Sequence, residues 1–267
     1  MSHRSPRKAL AASHQRSWLW GRHAVTETLR AGRWPVVELL ADEALPEEER
    51  IALQSLAAGH ETIVRLVPAK RLTDLCRADD HQGFLARMGE FPYGTLDDLK
   101  ASVVDAPHRG ATAPLFVICD RIQDAYNFGA ILRCCDAMKV DSVIIGERSQ
   151  ASVTPHVARS SAGAVNYQSI FRVRELTTAV DVLQASRVKV VAATEKAVAS
   201  LWETNLRQPL AVVIGTESTG IAPELLSLCD LQVSIPMLGR VNSLNAAVAA
   251  GIVLCECRPQ QSTAAGH

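Results

Sequence analysis

Apolar and polar positions alternate along this chain in two rhythms. Short unbroken apolar runs mark strands buried on both faces, as in LFVIC at Leu115–Cys119 and LAVVI at Leu210–Ile214. Between such runs lie longer stretches with apolar residues at helical spacing. After a short entry, an amphipathic helix ending at Ala31 opens the first region. A strand at Val36–Ala41 follows, then a helix from Pro46 to Ala58, a strand at Thr62–Leu66 and a helix at Ala69–Cys76. His81-Gln82-Gly83 leads into a third strand. This is a compact α/β unit of its own. The stretch after Gly94 is polar and rich in Asp, Pro and Gly, so it reads as a linker that opens with a short helix at Leu96–Val103. Beyond it come strands at Leu115–Cys119, Asp141–Ile145, Gln168–Arg172, Val188–Ala193, Leu210–Ile214 and Leu231–Ile235. They alternate with helices at Gly129–Met138, Leu176–Ser186 and Leu244–Cys257, and with a helix or loop at Ser152–Ser161. That alternation predicts a doubly wound, mostly parallel sheet. The expected division is a basic disordered arm at 1–16, a first domain at 17–93, a linker at 94–112, a second domain at 113–258 and a frayed tail at 259–267.

Two of the buried strands break into polar, glycine-bearing loops. Leu210–Ile214 runs into Gly215-Thr-Glu-Ser-Thr-Gly220, and Pro223 then suits the first turn of a short helix. Leu231–Ile235 runs into Pro236-Met-Leu-Gly239-Arg-Val-Asn-Ser243-Leu-Asn245, where Asn242 or Ser243 can cap the last helix. Ligands of open parallel sheets bind outside the carboxyl ends of the strands. The two loops, one helix apart, therefore form a candidate site carrying Glu217, Ser243 and Asn245. Taken singly, one loop reads as a turn and the other as a helix cap. GTESTG lacks the lysine of a Walker A loop and the glycine order of the dinucleotide fingerprint.

Composition narrows the class. The 267 residues suit two domains, and 48% hydrophobic content is enough for a core in each. Lys+Arg and Asp+Glu both total 28, which argues against a generic basic nucleic-acid coat. The charge is uneven, though. Seven basic residues from Arg4 to Arg33, among them Arg22, Arg30 and Arg33, face only Glu27 before Pro35. That is a local surface RNA could use. The apolar runs fall short of the ~20 residues that span a bilayer, and the N-terminus has no apolar signal region. Seven cysteines without paired C-x-x-C knuckles predict no structural zinc and a reducing, cytoplasmic setting. No other metal-ligand spacing is present, so no metal is expected.

The two loops resemble motifs two and three of the SpoU (TrmH-like) RNA 2′-O-methyltransferases of the SPOUT superfamily. Motif two is similar to Ile214-Gly-Thr-Glu217-Ser-Thr-Gly220. Motif three is similar to Ile235-Pro-Met-Leu-Gly239 followed by Ser243-Leu-Asn245. Motif one, Asn-x-Gly-Ala-x-x-Arg, stands upstream as Asn127-Phe-Gly129-Ala-Ile-Leu-Arg133. Gly21-Arg-His23-Ala-Val and His81-Gln-Gly83 carry a weaker resemblance, to the ribosomal-protein-like substrate-binding domain that precedes many SpoU catalytic domains. Two departures stand out: Asp124-Ala125 where relatives often have Asp-Pro, and Ser218 in place of a frequent glycine.

The resemblance implies an α/β fold, with a mostly parallel sheet closed by a C-terminal trefoil knot and preceded by a small RNA-binding domain. It implies S-adenosylmethionine as cofactor, held at Gly215, Ile235 and Leu244, with Thr194 in a further cofactor loop. It implies RNA as substrate, for which the uneven charge offers Arg22, Arg30 and Arg33, and a homodimer formed by the catalytic domains through the last helix. Its catalytic set is Arg133, Asn127, Glu217, Ser243 and Asn245. A guanidinium with a pKa above ~12 is a poor base, so Arg133 is expected to grip a phosphate or steer the ribose hydroxyl. Glu217 either accepts the proton or holds Asn127 and Arg133 in place. Read alone, Arg133 is a surface arginine pairing with Asp136 or Asp124, and Asn127 is a helix cap. The expected activity is ribose 2′-O-methylation of ribosomal RNA, at a 23S-type guanosine. The alternatives are a transfer-RNA ribose methyltransferase and a non-catalytic RNA-binding or assembly factor of the same fold.

Overall fold

The computed structural model describes residues 17–60, 62–106 and 112–264. The expected arm, 1–16, and the last residues of the expected tail lie outside them. The chain divides into two compact units. One comprises Met1–Pro92 with Val153–Tyr167, the other Tyr93–Ser152 with Gln168–His267.

In the first unit a four-stranded mixed sheet runs β1 (Trp18–Trp20), β4 (Phe84–Met88), β2 (Val36–Asp42), β3 (Val64–Val67). β4 is antiparallel to both its neighbours, and β2 pairs with β3 in parallel. Helices Arg22–Ala31, Glu47–Ala58 and Ala69–Cys76 connect the strands. The entry Trp18–Trp20 is itself an edge strand, paired with β4 alone, and all three of its side chains are buried. Trp18, Trp20, Leu40, Leu72 and Leu85 share one core. His81 is buried in the turn before β4. Its Nδ1 accepts from the Gly83 N–H at 3.0 Å and its Nε2 meets Thr73 Oγ1 at 3.1 Å, so its work here is structural.

The segment from Val153 to Tyr167 joins this unit from far along the chain. Its helix Pro155–Ser160 carries Arg159, which pairs with Asp80 at 2.6 Å and lies 4.2 Å from the Trp20 ring centroid. Asn166 donates to the buried Thr28 hydroxyl at 3.1 Å. Hydrophobic periodicity cannot reveal such a discontinuous unit, because these contacts are made between distant residues.

The second unit holds six parallel strands in the order β10 (Leu231–Val233), β8 (Lys189–Ala193), β9 (Leu210–Ile214), β5 (Leu115–Cys119), β6 (Ser142–Gly146), β7 (Ile170–Val173). β5 and β9 are buried along their whole length, as unbroken apolar runs should be. The stretch expected as linker contains helix Leu96–Asp105. A reciprocal Thr95–Asp98 capping box starts that helix, and Leu99 and Val103 fix it in the same core as Phe116 and Ile118.

The last helix, Ala246–Ala264, continues through Pro259 into the stretch read as a tail. An internal proline removes one helical hydrogen bond. Neighbouring side chains offset that loss. Arg258 donates to the carbonyls of Met138, Lys139 and Ala113, and the buried Gln261 donates to Gln208 O at 3.1 Å. Among the described residues, no helix is long and apolar enough to cross a membrane. All seven cysteines are free, and burial pushes the Cys119 thiol up to about 12.

Candidate active site

Because the six strands are parallel, their carboxyl ends share one edge of the sheet. There the loops after β8, β9 and β10 enclose a cavity of about 320 Å³, within the range of small-molecule clefts, ~300–1,000 Å³. Thr194, Gly215, Ile235 and Leu244 all line it, as do Glu217 and Ser243. The charged side chains on its wall are two carboxylates, Glu195 and Glu217.

The loop after β9 doubles back on itself. Thr216 N–H donates to Gly220 O at 3.2 Å and Gly220 N–H to Thr216 O at 3.0 Å. Gly220 has φ +67°, in the left-handed region that glycine favours. A Cβ at Gly215 would lie 2.4 Å from Gly220 C and 2.5 Å from Ile221 N, so only glycine fits there.

At the head of this loop Glu217 gathers the three sequence motifs. Its Oε1 accepts from Asn127 Nδ2 at 2.9 Å, from Asn245 Nδ2, and from the Ala246 N–H at 3.2 Å. Asn245 Nδ2 also donates to Asn127 Oδ1 at 2.9 Å. The backbone places both asparagines. Asp124 caps helix Ala125–Ala137 by accepting from the Asn127 N–H at 2.7 Å, so the helix starts before Gly129 and Asn127 lies in its first turn. Asn245 caps the last helix, its Oδ1 accepting from Ala247 and Val248 at 3.0 and 3.3 Å. Neither Asn242 nor Ser243 takes the capping role expected of them. Ser243 stays exposed on the cavity wall.

Arg133 is not part of this cluster. It is exposed on helix Ala125–Ala137 and, among the described residues, makes no ion pair with Asp124, Asp136 or Glu217. The three arginines expected to touch RNA are all engaged within the first unit. Arg22 pairs with Glu49 at 3.0 Å and Arg30 with Glu27 at 2.6 Å. Arg33 is half-buried over Phe91, 5.7 Å from its ring centroid. The Arg30 hydrogen bond, helped by one from Tyr167, holds the Glu27 carboxyl below its usual range. Exposed pairs of this kind contribute ~0–1 kcal/mol, so Arg22 and Arg30 could exchange their carboxylates for phosphates.

Asp120 and Arg121 were missed in the sequence. Asp120 is buried at the end of β5 and bonded to the backbone of the loop after β9. The signal available was an opposite-charge pair standing where a buried strand ends. Among the described residues no cluster of three or more His, Cys, Asp or Glu is placed to hold a metal.

The model of the SpoU rRNA methylase family matches residues 114–255, and that of RNA 2′-O-ribose methyltransferase substrate binding matches residues 18–94. The chain belongs to the SpoU methylase family. A Bacillus subtilis protein named as a TrmH family tRNA/rRNA methyltransferase is 30% identical to this SpoU chain, over 91% of it and 96% of the relative. The SpoU methyltransferase AviRb from Streptomyces viridochromogenes, solved in complex with AdoMet, has a TM-score of 0.76 at 26% identity. It covers 97% of this chain and 100% of its own. The A. aeolicus TrmH/SpoU tRNA modifying enzyme has a TM-score of 0.52 at 26% identity, covering 63% of this chain and 83% of its own.

The six-stranded parallel sheet thus belongs to the SpoU catalytic domain, a SPOUT fold with its C-terminal trefoil knot, and the family match also takes in Val153–Tyr167 of the first unit. This SpoU methylase is an S-adenosylmethionine-dependent RNA 2′-O-ribose methyltransferase. The cavity suits that cofactor. Carboxylates are the charged groups on its wall, which favours a cationic sulfonium. Backbone at Gly215 and aliphatic side chains at Ile235 and Leu244 offer polar edges beside an apolar face, as an adenine requires. Gly215→Ala should therefore displace the loop backbone at Gly220 and Ile221 and weaken S-adenosylmethionine about tenfold or more, ~1.4 kcal/mol. Calorimetry checks this, and wild-type affinity in the variant would show that the close approach of Gly215 to Gly220 is not needed.

Proposed function

We propose that this methylase acts on a ribose of ribosomal RNA, at a 23S-type guanosine. The observation that carries the methyl transfer itself is the Glu217-centred cluster of Asn127 and Asn245 beside a cofactor-sized cavity. A substrate-binding unit ahead of the catalytic one supports ribosomal over transfer RNA, because the A. aeolicus tRNA enzyme spans only part of this chain. Thr194, Gly215, Ile235 and Leu244 would hold S-adenosylmethionine, which supplies a methyl group on a positively charged sulfur. Asn127 and Asn245 orient the ribose, and Ser243 offers a further hydroxyl on the cavity wall. Glu217, with Oε1 occupied by three donors, serves as their brace. Arg22 and Arg30 grip the RNA backbone, and Arg33 supports that surface from its packed position over Phe91. The free cysteines fit a reducing cytoplasm. Incubation with labelled donor and separated RNA pools tests the choice. Label in ribosomal RNA is expected, while label confined to transfer RNA would favour the alternative substrate.

The working form in this reading is a homodimer. One stripe of the last helix stays uncovered by its own chain: Val248 is 50% exposed, Cys255 is exposed and Ile252 is partly so. The opposite stripe, with Ala250, Val253, Leu254 and Cys257, is fully buried. An apolar helix needs cover on each apolar face. Pairing across a two-fold axis would supply it and would let Arg133 of one protomer serve the cavity of the other. A stable interface buries on the order of 1,600 Å². Light scattering at working concentration should give a dimer mass, and an active species of monomer mass would exclude the pairing.

A further inference from the structure

We propose that Asp120 and Arg121 are positioning residues that clamp the donor-binding loop from behind. The inference rests on the cavity being the donor site. Asp120 directly follows β5, and its N–H donates to Ile214 O at 2.8 Å, which ties it to the end of β9 where the loop begins. Its carboxylate is buried, with the side chain 5% exposed. Oδ2 accepts from the Ala222 N–H at 2.7 Å and from Arg121 Nη2 at 3.1 Å, while Oδ1 accepts from Arg121 Nε at 3.1 Å. Arg121 Nη2 also donates to Gly220 O at 3.2 Å.

Neighbouring residues seldom form a two-pronged ion pair, because successive side chains of extended backbone point to opposite faces. Arg121 achieves it at φ +57°, a conformation uncommon for a residue with a Cβ. The result is a clamp on both sides of the loop exit, at Gly220 O and at Ala222 N. The other side of the same loop presents Gly215, Thr216 and Glu217 to the cavity. Neither Asp120 nor Arg121 lines that cavity, so the pair acts on the donor through the loop. Removing Arg121 leaves the buried Asp120 carboxylate without its counter-charge, a situation proteins tolerate poorly.

Two variants of the full chain test the clamp. Arg121→Lys keeps the charge on Asp120 but lacks the fork needed to hold Asp120 and Gly220 O together. Arg121→Met removes both contacts. The KM for S-adenosylmethionine should rise about tenfold or more in Arg121→Met and less in Arg121→Lys, each tenfold step being ~1.4 kcal/mol. The KM for RNA should stay within about threefold of wild type, and kcat should fall less than the donor KM rises. Hydrogen exchange of the free protein supplies a readout that needs no donor. Amides of residues 215–222 should exchange faster in both variants, with Asp120→Asn as a third case. Unchanged exchange and an unchanged donor KM would overturn the clamp. So would an equal loss in kcat and both KM values, which marks general destabilisation. A wild-type protein that binds no donor would overturn the donor-site reading instead, and the exchange data would still decide whether the clamp exists.

Discussion

Arg133→Ala is expected to slow methyl transfer by about 10²–10³-fold at saturating donor, the scale of losing one preorganised charged contact in a transition state. Donor affinity should stay close to wild type, because Arg133 does not line the cavity. Folding should change little: the side chain is exposed and pairs with no acid among the described residues, and such surface changes cost within ~0.5 kcal/mol. An exposed guanidinium on a helix surface is poised to meet something outside its own chain. A guanidinium meets a phosphodiester through two parallel hydrogen bonds. Arg133→Lys should therefore recover little activity, since an ammonium cannot form that fork. If the site is completed across a dimer, mixing Arg133→Ala with Glu217→Ala protomers should restore turnover that neither has alone. Near-wild-type kcat in Arg133→Ala would remove the residue from the mechanism.

Glu217→Ala should fail differently. It leaves Asn127 Nδ2, Asn245 Nδ2 and the Ala246 N–H without their shared acceptor. Hydrogen bonds to a charged group contribute ~1.5–3 kcal/mol each, of which water regains a part in an exposed loop. A loss of about 10²-fold in turnover is expected, together with a raised KM for donor, because Glu217 also lines the cavity. Glu217→Gln separates brace from base. The amide keeps an acceptor oxygen for the asparagines, so a brace would retain part of the activity. A proton acceptor would lose as much in Gln as in Ala. Steady-state kinetics of the two variants side by side decides between the roles.

Strand content was legible where burial on both faces writes an unbroken apolar run, as at Leu115–Cys119 and Leu210–Ile214, whose bounds agree with the structure. Helix ends were less legible because short polar residues serve equally as loops and as caps. Asp124 and Asn245 hold the capping positions that the pattern left to Asn127, Asn242 and Ser243. Arg258-Pro259 reads locally as a stop, and only contacts to Met138, Lys139 and Ala113 explain why the helix goes on. The motif residues at the site could be named from spacing and resemblance. That Glu217 joins both asparagines and not Arg133 could not, since it depends on where three separate loops meet. Asp120 is hidden for the same reason: its partners beyond Arg121 are Ile214 and Ala222, about a hundred positions further on.

The central claim, methyl transfer to a ribose 2′-oxygen, is tested most directly by the chemistry of the product. RNA labelled by the protein and S-adenosylmethionine should be hydrolysed in alkali. A 2′-O-methyl group blocks cleavage of the adjacent phosphodiester, because the neighbouring hydroxyl can no longer attack. The account predicts that the label is recovered in alkali-resistant dinucleotides and that the Arg133→Ala protein yields almost none. Label released entirely in mononucleotides would place the methyl group on a base and contradict the account.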